Sequence, residues 1–521
     1  MKRWIPSVGV AALAVILTVL HAQGPALNVT NAMILNPSSD SWPTYNGDYS
    51  GKRFSALTKI SDKNVKYLSL AWTSAIQGAG IKGTPLMVNG TLYVTSPDNV
   101  TAVEARTGRE LWHYTWVRNR GGIHIGNRGV AIYGNTIYFE TPDCNLVALN
   151  ADTGKEKWFK SICSSELMYY GSVAPTVVGD KLITGVSGDD LDEPGYLDAR
   201  RLDDGELIWR WYVTPQKAGD PGLDSWPSLE AAKHGGGMTW QPITYDPAQN
   251  LIFVSTGNPQ PVIAYKDRKG DNLFTGALVA LNADNGKMQW YFQTSPHDTH
   301  DLDSTQVPIL FEQNGRKLVA QALRNGKFFV IDRTTGKGVV SSEYIKTKQF
   351  LGYDAKGQPI ANPSKDPTPD GSISTNSGTN WYPASYSPLT GLFYVNASRT
   401  FGIYYVYDLT DDPMGWGGGG GGGGGAAGEA TLTAVDVKTG QIKWATPRYG
   451  GGSSGLLSTV GNVVFGSGSG GLAAYNATTG QPLWASRVGN ITNGPITYLL
   501  DGHQYVVAAA GTSLFTFVLN E

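Results

Sequence analysis

One short unit returns so often along this chain that it dictates the fold. Ala102-Val-Glu-Ala-Arg-Thr-Gly-Arg-Glu-Leu-Trp112 matches Ala148-Leu-Asn-Ala-Asp-Thr-Gly-Lys-Glu-Lys-Trp158, and the unit recurs at Ala280–Trp290, Ala434–Trp444 and Ala474–Trp484. Degenerate copies run from Asp198 to Trp209 and from Val330 to Lys337. Each copy is an apolar strand, an Asp or Asn, a tight turn ending in glycine, and a second strand that usually ends in tryptophan. The glycine takes a positive φ without steric cost, and the flanking Asp, Asn and Thr side chains hydrogen-bond the turn backbone. A lone hairpin is not stable in water, so the units must stack, and the tryptophan supplies a broad flat surface for doing so.

The repeat glycines are Gly108, Gly154, Gly205, Gly286, Gly336, Gly440 and Gly480. Most successive pairs lie close to the ~40–50 residues of a four-stranded propeller blade. Two gaps are longer (286 − 205 = 81 and 440 − 336 = 104) and hold insertions or a decayed copy. Leu392–Asn396 and Ile403–Tyr407 read as strands of that decayed copy. Seven copies plus one predict an all-β chain, an eight-bladed β-propeller of four-stranded antiparallel blades with tryptophan-ended repeats and both termini joined in one blade.

The ends and the unusual segments add context. Lys2 and Arg3 precede an apolar run from Val8 to Leu20 and a small residue, Ala22. This reads as an export signal over residues 1–23, leaving 24–521 as a single domain, with an uncleaved anchor as the alternative. No later segment is apolar enough to cross a bilayer. A net charge of −2 gives no basic footprint for nucleic acid. The two cysteines, Cys144 and Cys163, flank one strand-turn-strand unit, where an oxidising compartment would let them pair. No Cys-x-x-Cys-His motif attaches a haem, so electrons leaving this chain go to a separate acceptor. The run Gly417–Gly425 is expected to be a mobile surface loop, with a substrate lid as the alternative.

The chemistry concentrates in Ser295-Pro-His-Asp-Thr-His-Asp-Leu-Asp-Ser-Thr-Gln306. Asp298, Asp301 and Asp303 with His297 and His300 form a density of acid groups that suits cation binding or proton transfer; a solvated acidic loop is the bland alternative. Residues two apart share a face of an extended segment, so Asp301 and Asp303 would repel unless a cation or shared proton relieved them. A zinc site on His297 and His300 would need a helical turn and a third ligand.

From Trp42-Pro-Thr-Tyr-Asn-Gly-Asp-Tyr-Ser-Gly-Lys-Arg-Phe-Ser55 to about Phe517, the chain resembles the pyrroloquinoline quinone (PQQ)-dependent alcohol dehydrogenases, eight-bladed quinoproteins of the periplasm. The resemblance implies roles for particular residues. Asn127-Arg128-Gly129 makes Arg128 the partner of a PQQ carboxylate, and Ser172 and Ser187 are hydroxyls near the cofactor. Trp240, in Gly-Gly-Gly-Met-Thr-Trp, stacks on the quinone; Asn380 and Trp381 lie near it; Arg324 lies by its reactive carbonyl. Asp190, Asn258, Asp301 and Asp303 become ligands of Ca²⁺ or a lanthanide ion, and Asp301 becomes the catalytic base. Asp303 matches a position that carries Asp in the lanthanide-using branch. Trp240 and Asn258 are 18 apart, as are Ser172 and Asp190, and both spacings fit the family.

The implied chemistry agrees with the residues. A planar tricarboxylate needs cations and a flat aromatic, and hard oxygen donors suit Ca²⁺ or a lanthanide rather than Zn²⁺. The implied activity is oxidation of an alcohol in the periplasm, with a cytochrome c-like carrier as acceptor and a homodimer left open as the assembly. The chain departs from the family pattern in four places: Gly122 and Ile123 stand where many members have adjacent cysteines, Asp190 replaces Glu, His300 replaces Trp, and no late Trp occurs near Gly450 to Leu457, where Tyr449 or Ser453 stands instead. Two rival readings follow, a non-catalytic binding or scaffold propeller and a degenerate quinoprotein that binds PQQ but turns over poorly.

Overall fold

The computed structural model describes residues 27–118, 126–188, 193–304, 306–375, 378–407, 420–449 and 453–519. The export signal and the departures at Gly122, Ile123 and Asp190 lie outside them. Among the described residues no helix is long and apolar enough to cross a membrane. The α-helices described are two five-residue turns, Asn31–Leu35 and Leu229–Lys233.

The fold is all-β and propeller-like. Eight of the described sheets have four or five strands; all but two are built from strands contiguous in sequence, and five of those six are simple antiparallel meanders. The strands Leu86–Val88, Thr91–Ser96, Asn99–Glu104 and Glu110–Thr115 form the first. Its first strand is wholly buried and its last has no buried residue, so the sheet runs from an inner edge to an outer one. The two exceptions tie the N-terminal region to the C-terminal one. Phe54–Ser55 adds in parallel to Leu457–Thr459, and Leu68–Ala75 pairs antiparallel with Ser513–Leu519 as the outer strand of the last sheet. Both joins link residues far apart in sequence, which local patterning alone cannot hold.

The repeat residues meet where successive sheets face each other. The Trp112 indole N–H donates to the Ala151 carbonyl of the next sheet at 3.0 Å, and Trp72, Trp209, Trp290, Trp444 and Trp484 make the equivalent bond at 3.0–3.2 Å. Beneath five of these rings, and beneath Trp158, lies the turn glycine of the following repeat. A Cβ on Gly154 would sit 2.5 Å from Trp112, and Gly108, Gly205, Gly286, Gly336 and Gly480 are equally crowded by Trp72, Trp158, Trp209, Trp290 and Trp444. The glycine is therefore required twice, for its positive φ and for the ring above it. Only the copy at Gly440 lacks the tryptophan; Val340 and Ser342 take that place. The large apolar clusters lie between neighbouring sheets, and one spans the last, first and seventh.

Two expectations change. Leu392–Asn396 and Ile403–Tyr407 are not separate strands: one strand runs from Leu392 to Val406. The glycine run is not a loop where it is described. Gly420–Gly425 begins the strand Gly420–Asp436, with Val406 opposite Gly420 and Tyr404 opposite Gly422. Composition alone gives such a run no partner, whereas here the extended neighbouring strand supplies the hydrogen bonds. Cys144 and Cys163 are bonded, with Cα atoms 5.0 Å apart.

We expect Gly154→Val to destabilise the protein by about 3 kcal/mol, because it meets both a left-handed φ and the Trp112 ring. Gly179→Asn, at a similar φ with nothing within 4 Å, should cost under about 0.5 kcal/mol. Urea unfolding of the two variants measures the difference, and equal losses would remove the packing role.

Candidate active site

The acidic segment follows the strand Met288–Gln293 and is knotted tightly. The Asp298 carboxylate accepts the N–H groups of His300 at 2.9 Å and Leu302 at 2.6 Å, and the buried Arg268 guanidinium donates to the Asp298 carbonyl at 2.6 Å. Burial raises the Asp298 carboxyl to about 6 although both N–H groups oppose the rise. Asp298 is thus the clasp of the turn. Inside it Asp301 adopts φ +61°, so the backbone is not extended as the alternating pattern assumed. The turn nevertheless delivers Asp301 and Asp303 to one partner. Arg324 donates to both Asp301 oxygens at 3.0 and 2.8 Å and to Asp303 at 3.3 Å. Burial works against the charge of Arg324, but Asp301 and Asp303 more than offset it and hold the guanidinium well above its ordinary value.

A cavity of about 190 Å³ opens on this trio. Of the predicted residues, Arg128, Trp240, Asp301, Asp303, Arg324, Asn380 and Trp381 line it. The Arg128 guanidinium lies 4.6 Å from the Trp240 ring centre and 5.6 Å from that of Trp381. Ser172 and Ser187 do not line the cavity. They stand behind it, their hydroxyls 2.6 Å apart, with Ser172 accepting from Arg128. Asn258 lies behind Asp303, to which its backbone N–H donates at 2.7 Å. Asp190 lies outside the described residues, and among the described ones no three His, Cys, Asp or Glu side chains gather as a metal site. His300 is buried edge-on against Tyr404 at 4.7 Å, and burial pushes its imidazole down to about 4. At the position of the missing late Trp, Ser453 accepts from Arg448 at 3.2 Å while Tyr449 is exposed.

Sequence reasoning missed three cavity residues, Lys82, Gly126 and Tyr170. Lys82 comes from a turn between sheets and carries no repeat signature. Burial and the Arg128 charge both lower its amine, so the two cations share one region of the cavity while Arg324 and its carboxylates occupy another.

This arrangement fits an acidic planar cofactor and an oxygen-liganded ion. The Trp240 indole N–H and the Asn258 side-chain oxygen are buried with no hydrogen-bond partner. A Cβ on Gly257 would sit 2.8 Å from the Asp303 carboxylate, so that residue's lack of a side chain is what admits the acid group there. Asn258, Asp301 and Asp303 are hard donors, and Lys82 and Arg128 suit carboxylates.

Comparisons with known proteins agree. The family profile "Glucose/ethanol/alcohol dehydrogenase, beta-propeller domain" matches residues 42–372, and that of "Outer membrane protein assembly factor BamB" matches 428–517. The chain is 35% identical to quinoprotein alcohol dehydrogenase PedH of Pseudomonas putida, over 96% of this chain and 91% of that protein. It is 34% identical to a quinohemoprotein alcohol dehydrogenase of Comamonas testosteroni, over 90% and 72%. Among solved structures, quinohemoprotein alcohol dehydrogenase ADHIIG of Pseudomonas putida superposes with a TM-score of 0.88 at 30% identity, covering 94% of this chain and 82% of that one. A europium-containing methanol dehydrogenase gives 0.83 at 26%, covering 93% and 99%. Fold, cavity and relatives together define an oxidoreductase built on a propeller-like scaffold. The chain belongs to the PQQ-dependent (quinoprotein) alcohol dehydrogenase family.

Behind Ser172 lies a buried acid that repeat reading did not single out. Glu140 accepts the Val173 N–H at 3.0 Å, and burial raises its carboxyl to about 8 against the pull of that bond, the Ser172 N–H and the Arg128 charge. A raised folded value means that the folded chain holds the proton more tightly than the unfolded one. The stability from this group is therefore full below the ordinary carboxylate value of about 4.5 and is lost as pH rises through about 8. Between pH 5 and 8 we expect Glu140→Gln to escape a loss on the order of 3 kcal/mol that the wild type suffers. Urea midpoints at both pH values test this; identical pH dependence would show that the carboxyl is ionised throughout.

Proposed function

We propose that the protein is a periplasmic PQQ- and metal-dependent dehydrogenase that oxidises an alcohol and passes the electrons to a separate cytochrome c-like carrier. The observation that carries this reading is the bidentate Arg324–Asp301 pair with Asp303 on the same guanidinium, opening on a cavity faced by Trp240 and Arg128. We further infer that the eight sheets are the blades of a closed propeller, with Trp484 and Trp72 bridging its ends.

Arg128 and Lys82 would hold acid groups of PQQ, with Ser172 and Ser187 keeping Arg128 in place, and Trp240 would take the ring plane. Asn258, Asp301 and Asp303, joined by Asp190, would hold the ion. When bound, PQQ supplies a two-electron acceptor and the ion a Lewis acid. Asp301 would accept the hydroxyl proton of the alcohol at a carboxylate oxygen, bound PQQ would supply the acceptor for the carbinol hydride, and the alcohol would become a carbonyl compound. Arg324 orients Asp301 through two parallel bonds, so the base points one way before substrate arrives. Asp303 would add a third carboxylate, beside Asp301 and Asp190, to the ion's donors, which would favour a trivalent lanthanide over Ca²⁺; the similarity to a europium-containing enzyme supports this choice. Export to the periplasm rests on Lys2, Arg3 and the apolar run from Val8 to Leu20.

The match of residues 428–517 to an assembly-factor family favours a scaffold reading for that part alone. That segment contains none of the cavity's charged residues.

Apoprotein mixed with PQQ and La³⁺ or Ce³⁺ should gain a quinone absorption band and reduce a dye over an alcohol panel. No band at stoichiometric PQQ would sink the proposal, and activity with Ca²⁺ but not with La³⁺ or Ce³⁺ would remove the lanthanide. Asp301→Asn should lower kcat by about 10²- to 10⁴-fold while the band persists. Retained turnover would show that the proton goes elsewhere.

A further inference from the structure

One turn behind the cavity of Trp240 and Arg128 holds two of its walls at once. Glu140, fully buried at the head of this turn, is the junction. Its backbone carbonyl accepts from the Asn127 side chain at 2.8 Å, and its carboxylate accepts the Val173 N–H at 3.0 Å and the Ser172 N–H. Asn127 and Ser172 are the two supports of Arg128. Asn127 precedes it in the chain and accepts the Gly129 N–H at 2.8 Å. The Ser172 carbonyl accepts the Arg128 backbone N–H at 3.1 Å and its guanidinium at 3.2 Å. At the other end of the turn, Cys144 is bonded to Cys163, where the segment begins that carries Tyr170 to the cavity and Ser172 behind it.

Resting on the reading that this cavity takes PQQ, we propose that residues 140–144 are a brace for the cofactor's anionic end. Glu140 is a positioning residue for Arg128, and the Cys144–Cys163 bond fastens the brace to the segment Cys163–Val173.

The fit is close. A Cβ on Gly171 would lie 2.9 Å from the Glu140 Cβ, so the turn and the segment meet with no side chain between them. Between its two fastenings the segment holds a single 3-10 turn, Ser165–Leu167, so its ends and the Tyr170–Ser187 bridge set its path. The covalent end also reaches the aromatic platform: Cys144, Tyr169, Met238 and Trp240 belong to one apolar cluster, with Cys163 packed on it. Glu140 is costly where it stands. Its Oε1 is buried without a hydrogen-bond partner, and an acid so placed destabilises the fold. Leucine would fill the same volume at less cost. What the acid adds is an acceptor for the Val173 and Ser172 N–H groups, and through them a fixed place for Arg128.

The test is the dissociation constant for PQQ, with La³⁺ present, read from the quinone band as apoprotein is titrated. It is run at about pH 6, where burial keeps the Glu140 carboxyl protonated and glutamine matches it. Glu140→Leu should raise the constant about tenfold or more, while Glu140→Gln, which restores the acceptor, should stay within about twofold of wild type. Cys144→Ser combined with Cys163→Ser should also raise it about tenfold. Val506→Ala, in the apolar cluster of the last sheet, should lose stability to urea yet keep the wild-type constant, which separates positioning from general loosening. If the serine variant does not fold, wild-type apoprotein reduced with a phosphine takes its place. The S–S bond then opens to two thiols while the phosphine takes oxygen from water to become its oxide, and excess phosphine is removed before PQQ is added. A leucine variant that binds PQQ as wild type does, a glutamine variant no better than leucine, an opened disulfide without effect, or an equal rise from Val506→Ala would each overturn the proposal. A wild type that shows no quinone band would instead overturn the PQQ reading on which it rests.

Discussion

A tryptophan ring lying on the turn glycine of the next sheet is the contact on which the rest of this structure depends. Each sheet has two apolar faces and would be insoluble alone; stacking buries both. The ring sets the spacing and the indole N–H sets the register, because it reaches one particular carbonyl in the following turn. Crowding under the ring explains why the turn residue is glycine even where Asn, which also tolerates positive φ, would satisfy the turn itself. One joint departs from the rule. At Gly440 the tryptophan is replaced by Val340 and Ser342, and the long extended strands of the following sheet are adjacent to it in the fold.

That frame places chemistry at the ends of strands that sequence keeps far apart. Arg128, Trp240, Asp301, Arg324 and Trp381 come from separate connections and meet at one cavity. The precision comes from residues behind it. Asp298 closes the turn that carries Asp301, Arg268 ties that turn to the Val262 carbonyl, and Ser172 and Ser187 steady Arg128. Buried polar groups of this kind cost free energy unless they are satisfied, so their presence in a row behind the cavity marks where position has been favoured over stability.

One sheet extends beyond the common blade length. The strand Leu392–Val406 is far longer than the strands of the other sheets, and Gly420–Asp436 pairs with it along its whole length. A residue with no side chain is usually read as a loop signal, because it loses the most entropy on ordering. Here backbone pairing with the neighbouring strand compensates for that loss.

The repeat alone determined the all-β class and the stacked four-stranded sheets, whereas the pairing of N- and C-terminal strands that it predicted is made only in the tertiary structure. Turn glycine, capping Asp and packing tryptophan are local requirements written every few tens of residues. The members of the acidic segment could also be singled out, since carboxylates so close together need a partner. Their conformation could not: alternation suggested an extended face for Asp301 and Asp303, whereas Asp298 folds the segment into a turn that reaches the same end. Lys82 and Glu140 were illegible because neither sits in a motif, and each acquires its role only from burial next to Arg128. The glycine run was legible as unusual but not as a strand, because its hydrogen-bond partners lie in another part of the chain. What tertiary structure alone decided is therefore the company each residue keeps. Local chemistry can specify a turn or a packing surface, but the strength of a charge, the fate of a buried acid and the shape of a cavity depend on neighbours distant in sequence.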